Sequence, residues 1–173
     1  MTLRVATAED AEAVGRVHVE SWKVAYRGIM PADVIARTDL AFRTRFWTGR
    51  IATREWPVFV IEEGGEIVAF CQMVPSPDPG DDPTTVGHIT SIHVLPHVRG
   101  RGHGRALLDR AFAEFRRRGF AEVTLWVLDG NVSARRFYEG LGFRHDGGRK
   151  TYPGTDVPEV RYRLRVSDLP KPR

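Results

Sequence analysis

The segment IHVLPHVRGRGHGRALLDRAF, residues 92–112, lies between a β-like run and an amphipathic helical one. Its centre alternates glycines with basic residues in the order Arg99, Gly100, Arg101, Gly102, His103, Gly104 and Arg105. Glycines let successive backbone N–H groups turn toward one point, and the positive end of the following helix is directed at that same point. The segment is therefore either a loop that binds an anion or a solvated turn that happens to be basic.

This segment lacks a residue that each of two common phosphate-binding loops requires. The dinucleotide pattern G-x-G-x-x-G needs a third glycine, where this chain has Arg105 or Leu107, depending on which glycine is counted first. The nucleoside-triphosphate loop ends in Gly-Lys-Ser/Thr, whereas residues 104–106 are GRA. Without that lysine and a metal-binding hydroxyl, we expect arginines to grip the phosphate without transfer of a phosphoryl group. The loop therefore predicts a pyrophosphate site.

The composition is typical of one globular domain, which we predict over residues 1–173. The chain is 42% hydrophobic and 28% charged, and no apolar run approaches the ~20 residues of a membrane span. The N-terminus lacks the apolar segment of a secretion signal, and the single Cys71 excludes an internal disulfide and fits core packing in a reducing compartment. A net charge of +4 is modest, and the RRR run at 116–118 fits a helix end. We predict a cytoplasmic protein that binds neither nucleic acid nor membrane.

Hydrophobic periodicity and turn residues predict alternating helices and strands along the chain. The predicted strands are 3–6, two runs within 57–76 joined at Gly64-Gly65, 86–95, 121–128 and 160–166, the last closing the sheet as an antiparallel strand. Helices are predicted from a capping box at Thr7 and Asp10, from Pro31, over 40–51, after the glycine loop until Gly119, and within 129–143, while 77–85 is a solvent loop. The expected fold is α/β, with a mixed, mostly antiparallel central sheet and helices on both faces.

A second motif, NVSARRFYEGLGF at residues 131–143, follows the glycine loop in sequence. Together the two motifs resemble those of the GCN5-related N-acetyltransferase (GNAT) family. The acetyl-coenzyme A loop of that family has the form Q/R-x-x-G-x-G/A, which residues 99–104 match, and its downstream segment is N-x-x-A-x-x-x-Y-x-x-x-G-F. The second pattern is matched by Asn131, Ala134, Tyr138, Gly142 and Phe143. The resemblance covers residues 58–166 well, and the helices before that region fit the general plan of the family.

The resemblance implies an enzyme that transfers an acetyl group from acetyl-CoA to an amine. The expected cofactor-binding residues are the strand segment Ile92, His93 and Val94, the loop Arg99, Gly100, Arg101, Gly102, His103, Gly104 and Arg105, and Asn131 with Ser133. The strand backbone would pair with the pantetheine arm, the loop would wrap the pyrophosphate, and Asn131 would bind the pantetheine. Tyr138 holds the position of the general acid. Asn131 also fits an ordinary helix cap, and Tyr138 also fits a core aromatic.

Two positions bear on the identity of the general base. Some relatives carry a glutamate five residues before the asparagine, where this chain has Trp126. His88 resembles the position at which other members place an acid or histidine acting through a water, and a pKa near 6.5 suits that role; a structural histidine is the alternative. His88 and His93 lie on opposite faces of a regular strand, so only one can face the substrate. We predict no metal site, because the histidines lack ligand spacing.

The sequence leaves the amine acceptor open among an amino acid, a polyamine, an antibiotic and a protein N-terminus. It also leaves open whether acyl groups other than acetyl are used and whether the chain forms a homodimer. Some of Trp22, Tyr26, Asp33 and Asp39 are candidates to line the acceptor pocket, since aromatics and acids suit an ammonium group. The alternative function is a catalytically silent module that binds coenzyme A or nucleic acid.

Overall fold

A computed structural model describes residues 1–169, and residues 170–173 of the predicted domain lie outside the described part. The α-helices are α1 (Ala11–Ala25), α2 (Ala32–Ala36), α3 (Leu40–Ala52), α4 (His103–Arg117) and α5 (Val132–Gly140). The strands are β1 (Thr2–Val5), β2 (Val58–Glu63), β3 (Glu66–Pro75), β4 (Val86–Val94), β5 (Glu122–Leu128), β6 (Arg144–Thr151) and β7 (Pro158–Arg165). No helix in this part of the chain is both long and apolar enough to cross a bilayer.

The strands are hydrogen-bonded in the order β1-β2-β3-β4-β5-β7-β6. The pairs β1–β2, β2–β3, β5–β7 and β6–β7 are antiparallel, whereas β4 and β5 are parallel. The predicted mixed, mostly antiparallel sheet with helices is therefore confirmed. By contacts, the chain divides into two compact units, the first containing Met1–Met73 and Ser91–Ala111 and the second Val74–Thr90 and the described residues from Phe112 onward. That residues 1–173 form a single domain stays a prediction.

The first unit confirms the local patterns of the N-terminal half. Thr7 donates its backbone N–H to the Asp10 carboxylate at 2.7 Å, which completes the predicted capping box before α1. Along α1 the predicted inward face is buried, including Val14, Val17, His18, Ser21 and Trp22. Pro31 is the N-cap of α2, which begins at Ala32, one residue after the first helical position predicted at Pro31. The local signals of this half are therefore sufficient to place its helices.

The hairpin of β2 and β3 carries much of the core of the first unit. Gly64 and Gly65, at φ 59° and 83°, form the turn that joins the two strands. Two successive residues with positive φ match the right-handed twist of a two-residue hairpin, and glycine adopts them without strain. Cys71 on β3 is fully buried and burial raises the pKa of its thiol, which confirms its interpretation as core packing.

The second unit is built on β5, β7 and β6. Phe112 on α4 packs against Phe143 with ring centroids 6.0 Å apart. β7 is antiparallel as predicted but lies between β5 and β6, so it does not close the sheet. β6 was not predicted, because its sequence RHDGGRKT is polar and nearly all of it is exposed. An edge strand of this kind has no buried face that would impose a hydrophobic alternation.

The predicted solvent loop at 77–85 is mostly exposed, but two of its acids are anchored. Asp81 accepts hydrogen bonds from Ser76 and Arg163, each at 2.6 Å, and its side chain is only 7% exposed. Asp78 lies 3.2 Å from the Nη1 of Arg161. The loop is therefore tied to the polar face of β7, which the composition of the loop alone did not indicate.

Candidate active site

The glycine loop of the first unit has the backbone geometry of an anion site. Gly100 and Gly102 have φ of 80° and 87°, in the left-handed region that glycine tolerates best. Apart from chain neighbours, no atom lies within 4 Å of where a side chain would begin at either residue. α4 begins immediately afterwards at His103, so its unpaired N–H groups and its positive end face the loop. An anion bound here would meet backbone donors without steric obstruction.

The arginines of the loop are exposed and lightly held. Arg101 is 59% exposed in its side chain and lies 3.8 Å from Glu63. Arg105 is 49% exposed and pairs with Asp109 at 2.9 Å along the helix surface. The guanidinium of Arg99 reaches the backbone oxygens of Val94 and Ser21 at 3.4 Å each. Exposed ion pairs of this kind contribute little to stability, so these guanidinium groups can turn to a phosphate at small cost.

His103 differs from its neighbours in the loop because its side chain points inward. The residue is 2% exposed, and its Nε2 lies 3.2 Å from the Glu63 carboxylate. Neither ring nitrogen makes a hydrogen bond of good geometry within residues 1–169. The group that His103 can offer to a bound anion is therefore its backbone N–H, and its ring belongs to the interior of the unit.

His93 is a packed histidine. Its Nδ1 lies 2.8 Å from Ser21 Oγ, and its ring stacks on His18 with centroids 4.5 Å apart. Burial is the main cause that lowers the pKa of His93 to about 3, so the imidazole is neutral near pH 7. Ile92 and Val94 are half-buried, and the parallel register of β4 with β5 runs from Val86 to Ile89, so it does not include this segment.

His88 lies in the second unit, on β4, and is 5% exposed. Its Nδ1 lies 2.9 Å from Oγ1 of Thr124, the residue paired with it across the parallel strands. Burial lowers the pKa of His88 to about 4, although the carboxylate of Asp78 acts in the opposite direction. The imidazole is therefore neutral near pH 7 and held by one nitrogen. Its pKa lies below the value near 6.5 expected from the sequence, so it is a weaker base than predicted, and its contacts also fit a structural histidine.

Asn131, Ser133 and Tyr138 lie on or beside α5 in the second unit. Asn131 is the N-cap of the helix, and its Oδ1 accepts from the backbone N–H of Ala134 at 3.2 Å. This bond confirms the capping role and uses only the carbonyl oxygen, so the amide Nδ2 remains a donor for a ligand. Ser133 is exposed. Tyr138 is 8% exposed and its ring lies 5.4 Å from Phe137.

Sequence reasoning missed Thr124 and Asp78. Thr124 is a polar residue inside a buried strand, where an unpaired hydroxyl would be costly, so its partner could have been sought among the neighbouring strands. No sequence pattern indicated a role for Asp78, since it lies in a loop of ordinary polar composition. No group of three or more His, Cys, Asp and Glu residues within 1–169 is arranged to hold a metal ion.

Comparisons with known proteins agree on the class. The sequence profile of the Acetyltransferase (GNAT) family matches residues 21–143. The chain is 30% identical over 136 residues to the uncharacterized N-acetyltransferase YuaI of Bacillus subtilis (strain 168), with 77% of this chain and 75% of that protein covered. The chain therefore belongs to the GNAT family of acetyltransferases, whose cosubstrate is acetyl-CoA.

Two solved structures share the fold. The structure of yncA from Salmonella typhimurium with its cofactor acetyl-CoA superposes with a TM-score of 0.73 at 23% identity, covering 100% of this chain and 98% of that one. The paia N-acetyltransferase of Thermoplasma acidophilum, in complex with coenzyme A, gives a TM-score of 0.73 at 17% identity, covering 95% and 98%. At these identities the likeness concerns the fold.

Proposed function

We propose that this protein transfers an acetyl group from acetyl-CoA to a primary amine of a small molecule or of a protein N-terminus. The amine attacks the thioester directly, with both substrates bound together. The observation that carries the proposal is the glycine loop, whose two left-handed glycines stand before the N-terminus of α4 beside exposed arginines. That arrangement suits a pyrophosphate that anchors the cosubstrate away from the reacting atoms.

The residues proposed to bind acetyl-CoA are those named from the family resemblance. In the first unit, the backbone of Ile92, His93 and Val94 pairs with the pantetheine arm. The loop wraps the pyrophosphate through Arg99, Gly100, Arg101, Gly102, His103, Gly104 and Arg105, with His103 contributing its backbone N–H. In the second unit, Asn131 donates from Nδ2 to the pantetheine, and Ser133 lies nearby on the same helix. The loop thus supplies charge and the other groups supply alignment.

The reaction requires one proton to leave the amine and one to reach the sulfur. The neutral amine forms a C–N bond with the thioester carbonyl, and the C–S bond breaks as coenzyme A leaves as a thiolate. Tyr138 gives its phenolic proton to that thiolate, because a phenol with a reference pKa of about 10 is protonated at pH 7. His88, whose imidazole is neutral near pH 7, takes the amine proton, directly or through a water.

The N-terminal candidates for the acceptor pocket differ in how much of each side chain is free for a ligand. Two of the N-terminal candidates have structural roles, since Trp22 is 4% exposed and Asp39 caps α3 at Ala41, whereas Asp33 forms an exposed pair with Arg37 at 2.7 Å. Tyr26 packs edge-on against Trp22 with centroids 4.8 Å apart. We place the protein in the cytoplasm without a nucleic-acid or membrane partner, and a homodimer is compatible with the proposal.

The test is to incubate the protein with acetyl-CoA and a panel of amino acids, polyamines, aminoglycosides and N-terminal peptides, and to follow the release of free thiol. We expect turnover with at least one class of amine and an acetylated amine as the product. Binding of acetyl-CoA without turnover on the whole panel would favour the silent coenzyme A-binding module. Salt-dependent binding of duplex or single-stranded nucleic acid, without binding of coenzyme A, would favour the other alternative.

A further inference from the structure

We infer that Thr124 is a positioning residue, which holds His88 in the tautomer that carries its proton on Nδ1 and leaves the Nε2 lone pair facing the amine. The inference rests on the proposed function, because it deepens the role of His88 as the base. Thr124 itself touches no reacting atom in this scheme. Its contribution is to determine which nitrogen of the imidazole can accept a proton.

The hydrogen-bond directions around Thr124 follow from counting hydrogens. Oγ1 of Thr124 lies 3.2 Å from the carbonyl oxygen of Gly87 and 2.9 Å from Nδ1 of His88. Both contacts can be hydrogen bonds at once only if the single hydroxyl hydrogen of Thr124 is directed to Gly87, because a carbonyl oxygen only accepts. The hydroxyl oxygen then accepts from His88, and Nδ1 is the nitrogen that bears hydrogen.

The backbone makes this arrangement rigid. His88 and Thr124 are register partners in the parallel pair of β4 and β5, and Gly87 is the residue before His88. Thr124 is 0% exposed, so water does not compete for its hydroxyl. A β-branched side chain on a buried strand also has few rotamers available, which keeps Oγ1 in place. The tautomer is thus determined by two neighbouring strands and not by a mobile side chain.

The other ring nitrogen of His88, Nε2, is the one that can accept a proton from the amine. Within residues 1–169, Nε2 of His88 makes no hydrogen bond. It is not one of the fully buried polar atoms that lack a partner, so it retains access to solvent. In a neutral imidazole with hydrogen on Nδ1, Nε2 carries the lone pair. The charged groups that act on this ring are Asp78 and Asp81, which favour its protonated form, and Lys150 and Arg161, which oppose it. The carboxylate of Asp78 has the largest effect among them, so it helps stabilise the imidazolium formed when Nε2 takes the amine proton.

The direct test is the nitrogen NMR spectrum of the protein labelled with ¹⁵N-histidine, near pH 7. The signals of His88 are assigned by their loss in His88→Gln. We expect the Nδ1 shift of a protonated nitrogen and the Nε2 shift of an unprotonated one. In Thr124→Val, which keeps the shape but lacks the hydroxyl, we expect averaged shifts. Thr124→Ser, which restores the hydroxyl, should return the wild-type pattern. A wild-type spectrum with hydrogen on Nε2 would overturn the inference whatever the activity.

The kinetic test uses the same variants with the amine that the panel under the proposed function identifies as the substrate. We expect kcat of Thr124→Val to fall about 10–100-fold, the usual effect of losing a group that orients a functional histidine, with KM for acetyl-CoA unchanged. Thr124→Ser should recover most of kcat. Unchanged kcat in Thr124→Val would overturn the positioning role. Full turnover by His88→Gln would instead contradict the role of His88 as the base, and the positioning role would fall with it although the NMR result stood.

Discussion

Trp126 donates its indole N–H to the carboxylate of Asp78, with Nε1 lying 3.1 and 3.0 Å from the two oxygens. Trp126 occupies the position at which some members of the family carry a glutamate. The structure thus brings a carboxylate to this position from another segment, the loop before β4. Arg161 holds the same carboxylate at 3.2 Å, so Asp78 is fixed on two sides near the face of the sheet that carries Thr124.

The first prediction concerns this contact. Trp126→Phe keeps an aromatic ring but removes the donor, and a hydrogen bond to a charged, mostly buried group contributes roughly 1–3 kcal/mol. We expect the free energy of unfolding, measured with urea, to fall by about 1–2 kcal/mol because Arg161 still compensates part of the charge. Amides of residues 77–85 should also exchange faster with deuterated solvent.

A double-mutant cycle isolates the contribution of the contact in this first prediction. Asp78→Ala alone should destabilise more than Trp126→Phe, because it also removes the ion pair with Arg161, which then retains its contact with Asp146 at 2.8 Å. The two changes together should destabilise less than the sum of the single changes, by about 1 kcal/mol. Strict additivity would show that the indole and the carboxylate do not interact in solution.

Local features of the fold could be predicted from the sequence because their causes are local. The capping box at Thr7 and Asp10 and the turn at Gly64 and Gly65 are each determined by residues a few positions apart. The glycine loop is of the same kind, since left-handed backbone and a following helix are readable from one segment. Predicting these features does not require knowing which strands pair.

Features that depend on contacts distant in sequence could not be predicted. β6 exists because β7 offers it a hydrogen-bonding edge, and its own residues give no alternation. A side chain at Gly148 would begin 2.8 Å from Cβ of Arg161, so that glycine is required by a strand elsewhere in the chain. In the candidate site, the roles of Thr124 and Asp78 likewise depend on partners 36 and 48 positions away.

The second prediction tests the glycine loop. Gly102→Asp places a side chain and a negative charge where the pyrophosphate is proposed to lie, at a backbone φ of 87°. We expect acetyl-CoA to raise the melting temperature of the wild type and to leave that of the variant unchanged. ATP with Mg²⁺ and nicotinamide dinucleotides should stabilise the wild type much less.

Gly80→Asp is the matched control for the loop. Gly80 has a φ of 91° and open space around it, so an aspartate there suffers the same backbone strain of about 1–2 kcal/mol. It should lower the melting temperature of the free protein as Gly102→Asp does, yet keep the full shift with acetyl-CoA. Tight binding of acetyl-CoA by Gly102→Asp would place the pyrophosphate elsewhere.

The third prediction concerns the stability of the fold in acid. Burial lowers the pKa of His18 to about 2, that of His93 to about 3 and that of His88 to about 4, against about 6.5 in an unfolded chain. Below pH 6.5 the unfolded chain therefore binds more protons than the folded one. The free energy of unfolding should be highest above pH 6.5 and should fall by up to about 1.4 kcal/mol per pH unit for each histidine on acidification.

Urea unfolding between pH 4.5 and 7.5 measures this slope before most carboxylates titrate. His18→Asn is the informative variant, because its side-chain oxygen can still accept from Nε1 of Trp47, which lies 3.1 Å from Nδ1 of His18. The variant has one fewer group that takes up a proton on unfolding, so its slope should be smaller by about one proton. An identical slope in wild type and variant would mean that His18 is protonated in the folded protein.

The fourth prediction isolates the hydroxyl of Tyr138. Tyr138→Phe keeps the ring beside Phe137 and Phe143, at centroid distances of 5.4 and 5.9 Å, and removes a proton donor. If that donor protonates the leaving thiolate, kcat should fall about 10²–10⁴-fold while the Kd for acetyl-CoA changes little. The high-pH limb of the rate profile should change as well, because deprotonation of the phenol no longer ends activity.

Tyr162→Phe provides the comparison, because the hydroxyl of Tyr162 has a structural role in the same unit. It donates to Glu139 at 2.6 Å and accepts from Arg135 at 3.1 Å. Its removal leaves a carboxylate and a guanidinium less well satisfied, so we expect lower stability, by about 1–2 kcal/mol, with kcat kept. Tyr138→Phe should instead lose turnover while the Kd for acetyl-CoA is kept, which marks an interaction made chiefly in the transition state. If Tyr138→Phe turns over the true amine substrate at the wild-type rate, water suffices as the acid and Tyr138 is a packing residue.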